Sequence, residues 1–294
     1  PSHIYVLCGQ YEKTIASNIE AAEADKKYLA VDSELGIYYI YLLHNLHFQL
    51  YGALFSGQFE PALRAANEME ATVKPEYQRV DNAFLVNYLE AFYGMKAHVL
   101  VRFGKWQEIL DAPLPEDPEL FCVTHAFWQY AKGIAHAVLG NIDDALKQQS
   151  LLQKAVAALP ADRIVFQNDT RDILSVAGPM LAGELEYRRG NYDVAFTHLR
   201  EAVDLYDTLN YSEPWSWMMP PRHALGALLL EQDHVDEAAS VYRADLGLDD
   251  TLVRPSQHPN NIWSLLGYTE CCERLGDSTS LEAIRPELEK AKQV

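Results

Sequence analysis

The chain has 294 residues, 49% of them hydrophobic, so it can bury a large core and is not globally disordered. With 24 Lys and Arg against 42 Asp and Glu, the formal net charge is −18. A surface this acidic repels phosphate backbones and anionic headgroups, which disfavours nucleic acid and membrane surfaces as partners. Cys8, Cys122, Cys271 and Cys272 form no CxxC pair and no disulfide framework, as expected of free thiols in a reducing compartment, the cytoplasm.

Helical periodicity dominates from the first residues. Helices are predicted over 2–8, 11–29 and 36–56. Pro1 stands where a helix is already under way, so either the natural start lies just before it or upstream residues are missing. Segment 36–56 is the most apolar, but His44, Asn45, His47 and Gln49 interrupt it, which fits a core helix and not a membrane span. Helices follow over 58–73, 77–103 and 105–111. Pro113, Pro115 and Pro118 then punctuate an acidic linker near 113–118, a boundary between two subarrays within a single domain spanning 1–294. Beyond it, helices are predicted over 119–139, 142–158, 169–189 and 191–210, then 218–231, 234–245, 259–275 and 279–292. Pro220 and Pro221 suit a first helical turn. No convincing set of strands is present.

A short phrase recurs between these helices. It reads Gly9-Gln10-Tyr11, Gly57-Gln58-Phe59, Gly104-Lys105-Trp106, Gly140-Asn141-Ile142 and Gly190-Asn191-Tyr192, with Asp233-His234-Val235 as a degraded copy. Repetition of this kind predicts an all-α fold of about seven antiparallel helix pairs stacked into a solenoid, with a glycine at each hairpin turn.

Trp263-Ser264-Leu265-Leu266-Gly267 matches a W-x-x-L-G motif, and Gly133, Gly183 and Gly226 supply small residues at the expected helix crossings. On these residues the chain resembles the tetratricopeptide repeat (TPR) superfamily, although its phrases are spaced 36 to 50 residues apart, wider than the usual repeat of about 34. A closer resemblance is to a largely uncharacterised TPR branch, carried by Ser2-His3-Ile4-Tyr5, by His44-Asn45-Leu46-His47-Phe48, and by Glu213-Pro214 followed by Trp217, Pro220 and Arg222. The resemblance implies a right-handed superhelix whose concave groove is lined by the first helix of each pair.

Counting back from each turn glycine assigns residues to that groove. His3, His44, His47, Tyr51, His98, Phe127, Tyr130, Met180, Glu184, Tyr187, His223, Asn261 and Tyr268 fall on it, with Trp217 adding aromatic surface. Five of the ten histidines are among them, where chance places about one. His44 and His47 share a helix face at i, i+3, and His3 comes from the neighbouring pair. Three imidazoles could hold a divalent metal (Zn, Fe or Cu) with a position left open for chemistry.

A second cluster comprises Glu184, Glu213, Arg222 and His223. The Arg222 fork suits a carboxylate or phosphate, and a Glu or His beside it suits proton transfer. The competing assignment is a Glu213–Arg222 structural pair that fixes the Pro-rich entry to a helix. No P-loop, dinucleotide-binding glycine pattern, G-x-S-x-G or H-E-x-x-H is present, so no nucleotide cofactor is expected.

These features favour a small-molecule pocket in the groove, in its sharper form a metal-dependent enzyme. The alternative is a peptide-binding scaffold, although the groove is poor in the Lys and Arg that clamp peptide carboxylates. Exposed ends of the stack would also let copies of the chain pair as a homo-oligomer.

Overall fold

In the computed structural model, which describes residues 1–31 and 36–293, the chain is all-α. It opens with α1 (Ser2–Leu7), α2 (Tyr11–Leu29), α3 (Ile37–Ser56) and α4 (Phe59–Thr72). Next come α5 (Ala83–Tyr93), α6 (Lys96–Arg102), α7 (Trp106–Asp111), α8 (Cys122–Val138) and α9 (Ile142–Ala158). A two-residue ribbon pairs β1 (Ile164–Val165) with β2 (Asn168–Asp169), antiparallel. The chain then runs through α10 (Thr170–Arg188), α11 (Tyr192–Asp207), α12 (Pro221–Glu231), α13 (Val235–Leu246), α14 (Ile262–Leu275) and α15 (Ser278–Ala291). Among the described residues, no helix is long and apolar enough to cross a membrane.

The turn residues behave as their chemistry dictates. Gly57 ends α3 at φ 76°, a left-handed conformation that glycine adopts without a Cβ clash. The degraded phrase keeps the same geometry: Asp233 takes φ 63°, and a short polar side chain tolerates that region better than most. The expected single helix over 77–103 is instead a 3₁₀ turn (Pro75–Arg79) followed by α5 and α6. The break has a local cause. Asn82 caps α5 by accepting the Leu85 N–H at 3.1 Å, and an Asn at this position starts a helix afresh. The Pro-rich stretch is tied down: Lys132 on α8 donates to the carbonyls of Leu110 and Ala112, and His125 to that of Pro115.

Consecutive helices pack against one another, α2 on α3, α8 on α9, α10 on α11 and α12 on α13, while α6, α8 and α10 also touch in turn. The apolar interior falls into two clusters. One is built from buried residues between Val6 and Met219, the other from buried residues between Tyr187 and Leu288, and Met180 packs against both.

The stretch of the expected groove that holds His47, His98, Phe127 and Tyr130 is covered. The connection between α11 and α12 inserts Trp217, which is 0% exposed, against His98, Phe127 and Tyr130. Met218 follows it, with its sulfur 3.0 Å from His47 Nε2. Phe166, in the β1–β2 turn, stacks on the other side of His47. Side chains of this size contribute about 2–3 kcal/mol each when fully buried.

Distant parts of the chain also meet. Trp263 Nε1 donates to the Leu54 carbonyl at 2.7 Å, Tyr11 Oη donates to the Pro259 carbonyl at 3.0 Å, and His258 stacks on Phe55.

Candidate functional site

At the seam between the two apolar clusters lies a cavity of about 370 Å³. Tyr130, Ile134 and Trp217 contribute from one side, Leu199, Leu228 and Tyr242 from the other, and Met180 at the join. Its charged lining consists of Arg102, Glu184 and Arg188. Apart from the polar His223, the rest is apolar or aromatic, with Trp106 and Trp263 completing the walls.

Behind that wall sits a buried carboxylate. Asp245 is one residue from the end of α13 and 0% exposed. An acidic group near a helix C-terminus opposes the helix dipole, so its position needs compensation from elsewhere. It receives that from four donors: His223 Nε2 at 2.9 Å, Asn261 Nδ2 at 2.9 Å and Ser264 Oγ at 2.6 Å on Oδ2, and His258 Nδ1 at 2.8 Å on Oδ1. Asn261 does two jobs. Its side-chain oxygen caps α14 by accepting the Ser264 N–H, while its amide group fixes the carboxylate. Burial pushes the Asp245 carboxyl up, but the flanking His223 and His258 outweigh it and hold the group well below the usual carboxylate range.

The tautomer of His223 follows from its neighbours. Arg102 Nη2 approaches His223 Nδ1 at 2.7 Å, and a guanidinium can only donate. Nδ1 must therefore accept, and Nε2 carries the proton that it gives to Asp245. His223 is neutral in this arrangement. Burial pushes its pKa down to about 4, with Arg102 adding to the effect and Asp245 opposing it. Arg102, at the end of α6, lies with its guanidinium carbon 3.9 Å from the centre of the Trp263 ring. The chain Asp245–His223–Arg102 therefore fixes a guanidinium in the cavity wall, backed by a carboxylate that it does not touch. Also lining the cavity, Arg188 Nε donates to Glu184 Oε1 at 2.7 Å.

Five residues picked from sequence meet in this cavity: Tyr130, Met180, Glu184, Trp217 and His223. The others lie elsewhere. Arg222 does not face it; its fork is taken by Asp207, at 2.6 and 2.5 Å. Glu213 pairs with neither Arg222 nor the cavity, and bonds to His3 and Tyr211 instead. Asn261 belongs to the Asp245 cluster. Tyr187 accepts a bond from Gln232, and Tyr268 packs in the second apolar cluster. Tyr51 and His98 are buried, and the Tyr51 hydroxyl and both His98 ring nitrogens have no hydrogen-bond partner among the described residues.

The three-histidine metal set expected from the sequence does not assemble. His3 and His44 lie together, their ring centres 5.8 Å apart and both edge-on to Phe48. His47 turns away into the interior toward Met218 and Phe166, because its position on α3 faces the inserted connection. Among the described residues, no three His, Cys, Asp or Glu side chains are grouped so that they could hold a metal ion.

Arg102, Asp245 and His258 escaped the sequence reading. Arg102 was within reach, since it follows His98 by four residues on one helix and so shares its face. Asp245 and His258 lie at and beyond a helix end, where helical counting gives no face.

No family model matches the chain, and no curated protein matches its sequence. Among solved structures it is similar to BtubC (BKLC) from P. vanneervenii, with a TM-score of 0.38 and 16% sequence identity, covering 96% of this chain and 91% of that one.

Proposed function

We propose that this chain is a divergent TPR-like array, closed on itself, that binds a small organic molecule in the cavity beside Arg102. The left-handed turn residues and the glycines at helix crossings support the repeat assignment. The observation that carries the binding assignment is the fixed guanidinium. A charged group that is oriented by a second layer of buried residues, and set in a largely apolar wall, has the construction of a specific ligand site. Arranging four donors around Asp245 serves to place one side chain at the cavity surface.

Two other readings lose ground. A peptide scaffold needs a continuous exposed groove, and its expected middle, at His47, His98, Phe127 and Tyr130, is covered by Trp217, Met218 and Phe166. Metal-dependent catalysis through His3, His44 and His47 needs three ligands at one point, and His47 is directed elsewhere.

The test is a thermal-shift screen of the purified chain against a metabolite-sized compound library, repeated on Ala224→Trp. Ala224 lines the cavity, and an indole there fills it. At least one compound should raise the melting temperature of the wild type and not that of the variant, while circular dichroism shows the variant folded. If every stabilising compound acts equally on Ala224→Trp, the cavity is not the site.

A further inference from the structure

We infer that the molecule this cavity takes is a monocarboxylate with a planar or aromatic body, its carboxylate received by Arg102. The inference deepens the binding assignment above and rests on it.

Arg102 makes no ion pair among the described residues, and its one hydrogen bond there, to His223, leaves further N–H groups of the fork unengaged. A planar fork with free donors matches the two oxygens of a carboxylate better than any neutral group does. The counter-charge arrangement favours the same ligand. Arg188 is already matched by Glu184, whereas Asp245, the carboxylate behind Arg102, is separated from it by a neutral imidazole. The cavity wall thus carries two guanidiniums and one carboxylate, a positive excess inside a chain of net charge −18. Such local reversal in a low-dielectric recess draws an anion to a defined point.

The number of negative charges is limited as well. Glu184 stands in the same wall, close enough to Tyr130 to help raise the pKa of its phenol beyond what burial alone does. A phosphate dianion would meet that carboxylate with only one unmatched guanidinium in its favour. A monoanion meets the same surroundings with its charge balanced.

The body of the ligand is read from the remaining lining. Trp106, Trp263 and Tyr242 offer ring surface. A volume of about 370 Å³ is at the small end for ligand pockets and suits a single or fused ring with a short acidic arm.

The experiment is isothermal titration of the full chain with three matched series: phenylacetate and indole-3-acetate, their neutral amides, and the corresponding amines. Phenyl phosphate serves as the dianion probe. The carboxylates should bind roughly tenfold or more tighter than the amides, with the amines and phenyl phosphate weaker still. In Arg102→Met the preference for carboxylate over amide should vanish, and in Arg102→Lys it should be reduced, because charge remains and the fork is lost. The wild-type ranking decides the matter even if Arg102→Met does not fold. Amides or amines that bind as well as the acids would overturn the inference, as would phenyl phosphate binding tighter. If no probe binds while another compound passes the Ala224→Trp test, the ligand class is wrong and the binding assignment stands. If nothing passes that test, the binding assignment itself fails.

Discussion

Asp245→Asn keeps the shape of the central side chain and removes its charge. In the wild type, Oδ2 accepts bonds from His223, Asn261 and Ser264, while Oδ1 accepts one from His258. The amide of the variant must turn its NH₂ toward one of these sets. Turned toward the three donors, it would oppose N–H and O–H groups. Turned toward His258, it faces a ring that can move its proton to Nε2, which has no partner among the described residues. The second orientation wins, and the amide oxygen takes over the three-donor side. Each of those three bonds then changes from charge-assisted to neutral, a loss of about 1 kcal/mol apiece, so Asp245→Asn should cost about 3 kcal/mol. Asp245→Ala strands all four donors and should cost more, about 5 kcal/mol. Urea unfolding at neutral pH, followed by circular dichroism, measures both through the midpoint at constant slope. A cost below about 1 kcal/mol for Asp245→Asn, or equal costs for the two variants, would show that the carboxylate does not organise this cluster.

Three further outcomes are expected. Burial pushes the Glu90 carboxyl from 4.5 up to about 7, against the pull of Arg163 and the Thr124 and Val123 N–H groups. A carboxyl whose pKa is higher folded than unfolded contributes its stability below pH 4.5 and loses it as pH rises through 7, up to about 3 kcal/mol. Glu90→Gln should flatten that part of the stability–pH curve, and an unchanged slope in pH-stepped urea titrations would reject the assignment. His98→Phe replaces two unpartnered ring nitrogens with carbon at nearly constant shape, so the melting temperature should hold or rise. A fall of several degrees would mean that the imidazole is satisfied in solution by buried water. A Cβ on Gly267 would lie 2.2 Å from the Tyr242 ring, and one on Gly226 would lie 2.6 Å from it. Gly267→Ala should therefore cost about 1–3 kcal/mol, and Tyr242→Leu in the same chain should recover part of it in a double-mutant cycle.

The helices were readable because helix signals are local. Turn glycines, capping residues and apolar spacing each act within a few residues, and Asp233, where the phrase carries no glycine, also takes a left-handed turn. Glu184, Met180, Tyr130 and His223, which counting from those turns assigns to a groove, line one cavity. It went astray where the answer depended on long-range packing. His47 was placed on a groove face, and that face points inward, but what meets it is Met218, distant in sequence and inserted by a connection with no helical period. Arg222, expected either to hold a ligand or to pair with Glu213, pairs instead with Asp207 at the end of a preceding helix. Asp245 was invisible for a related reason: its four donors come from α12, from α14 and from the loop between α13 and α14, and no single stretch of sequence holds the pattern.

The meeting of Leu54 with Trp263, and of Tyr11 with Pro259, changes how the molecule can come apart. Helix pairs that touch only their neighbours can peel away one at a time from a free end. Here α2 and α3 are fastened to α14 and to the loop before it, so separating these segments means breaking a contact that spans more than two hundred residues. Hydrogen exchange should then report a single slow opening shared by α3 and α14, in place of a gradient of protection along the chain. Assembly bears the corresponding cost. Local pairs can form early, but the seam that shapes the cavity cannot exist until distant segments have found each other, which makes the cavity among the last features to appear as the chain folds.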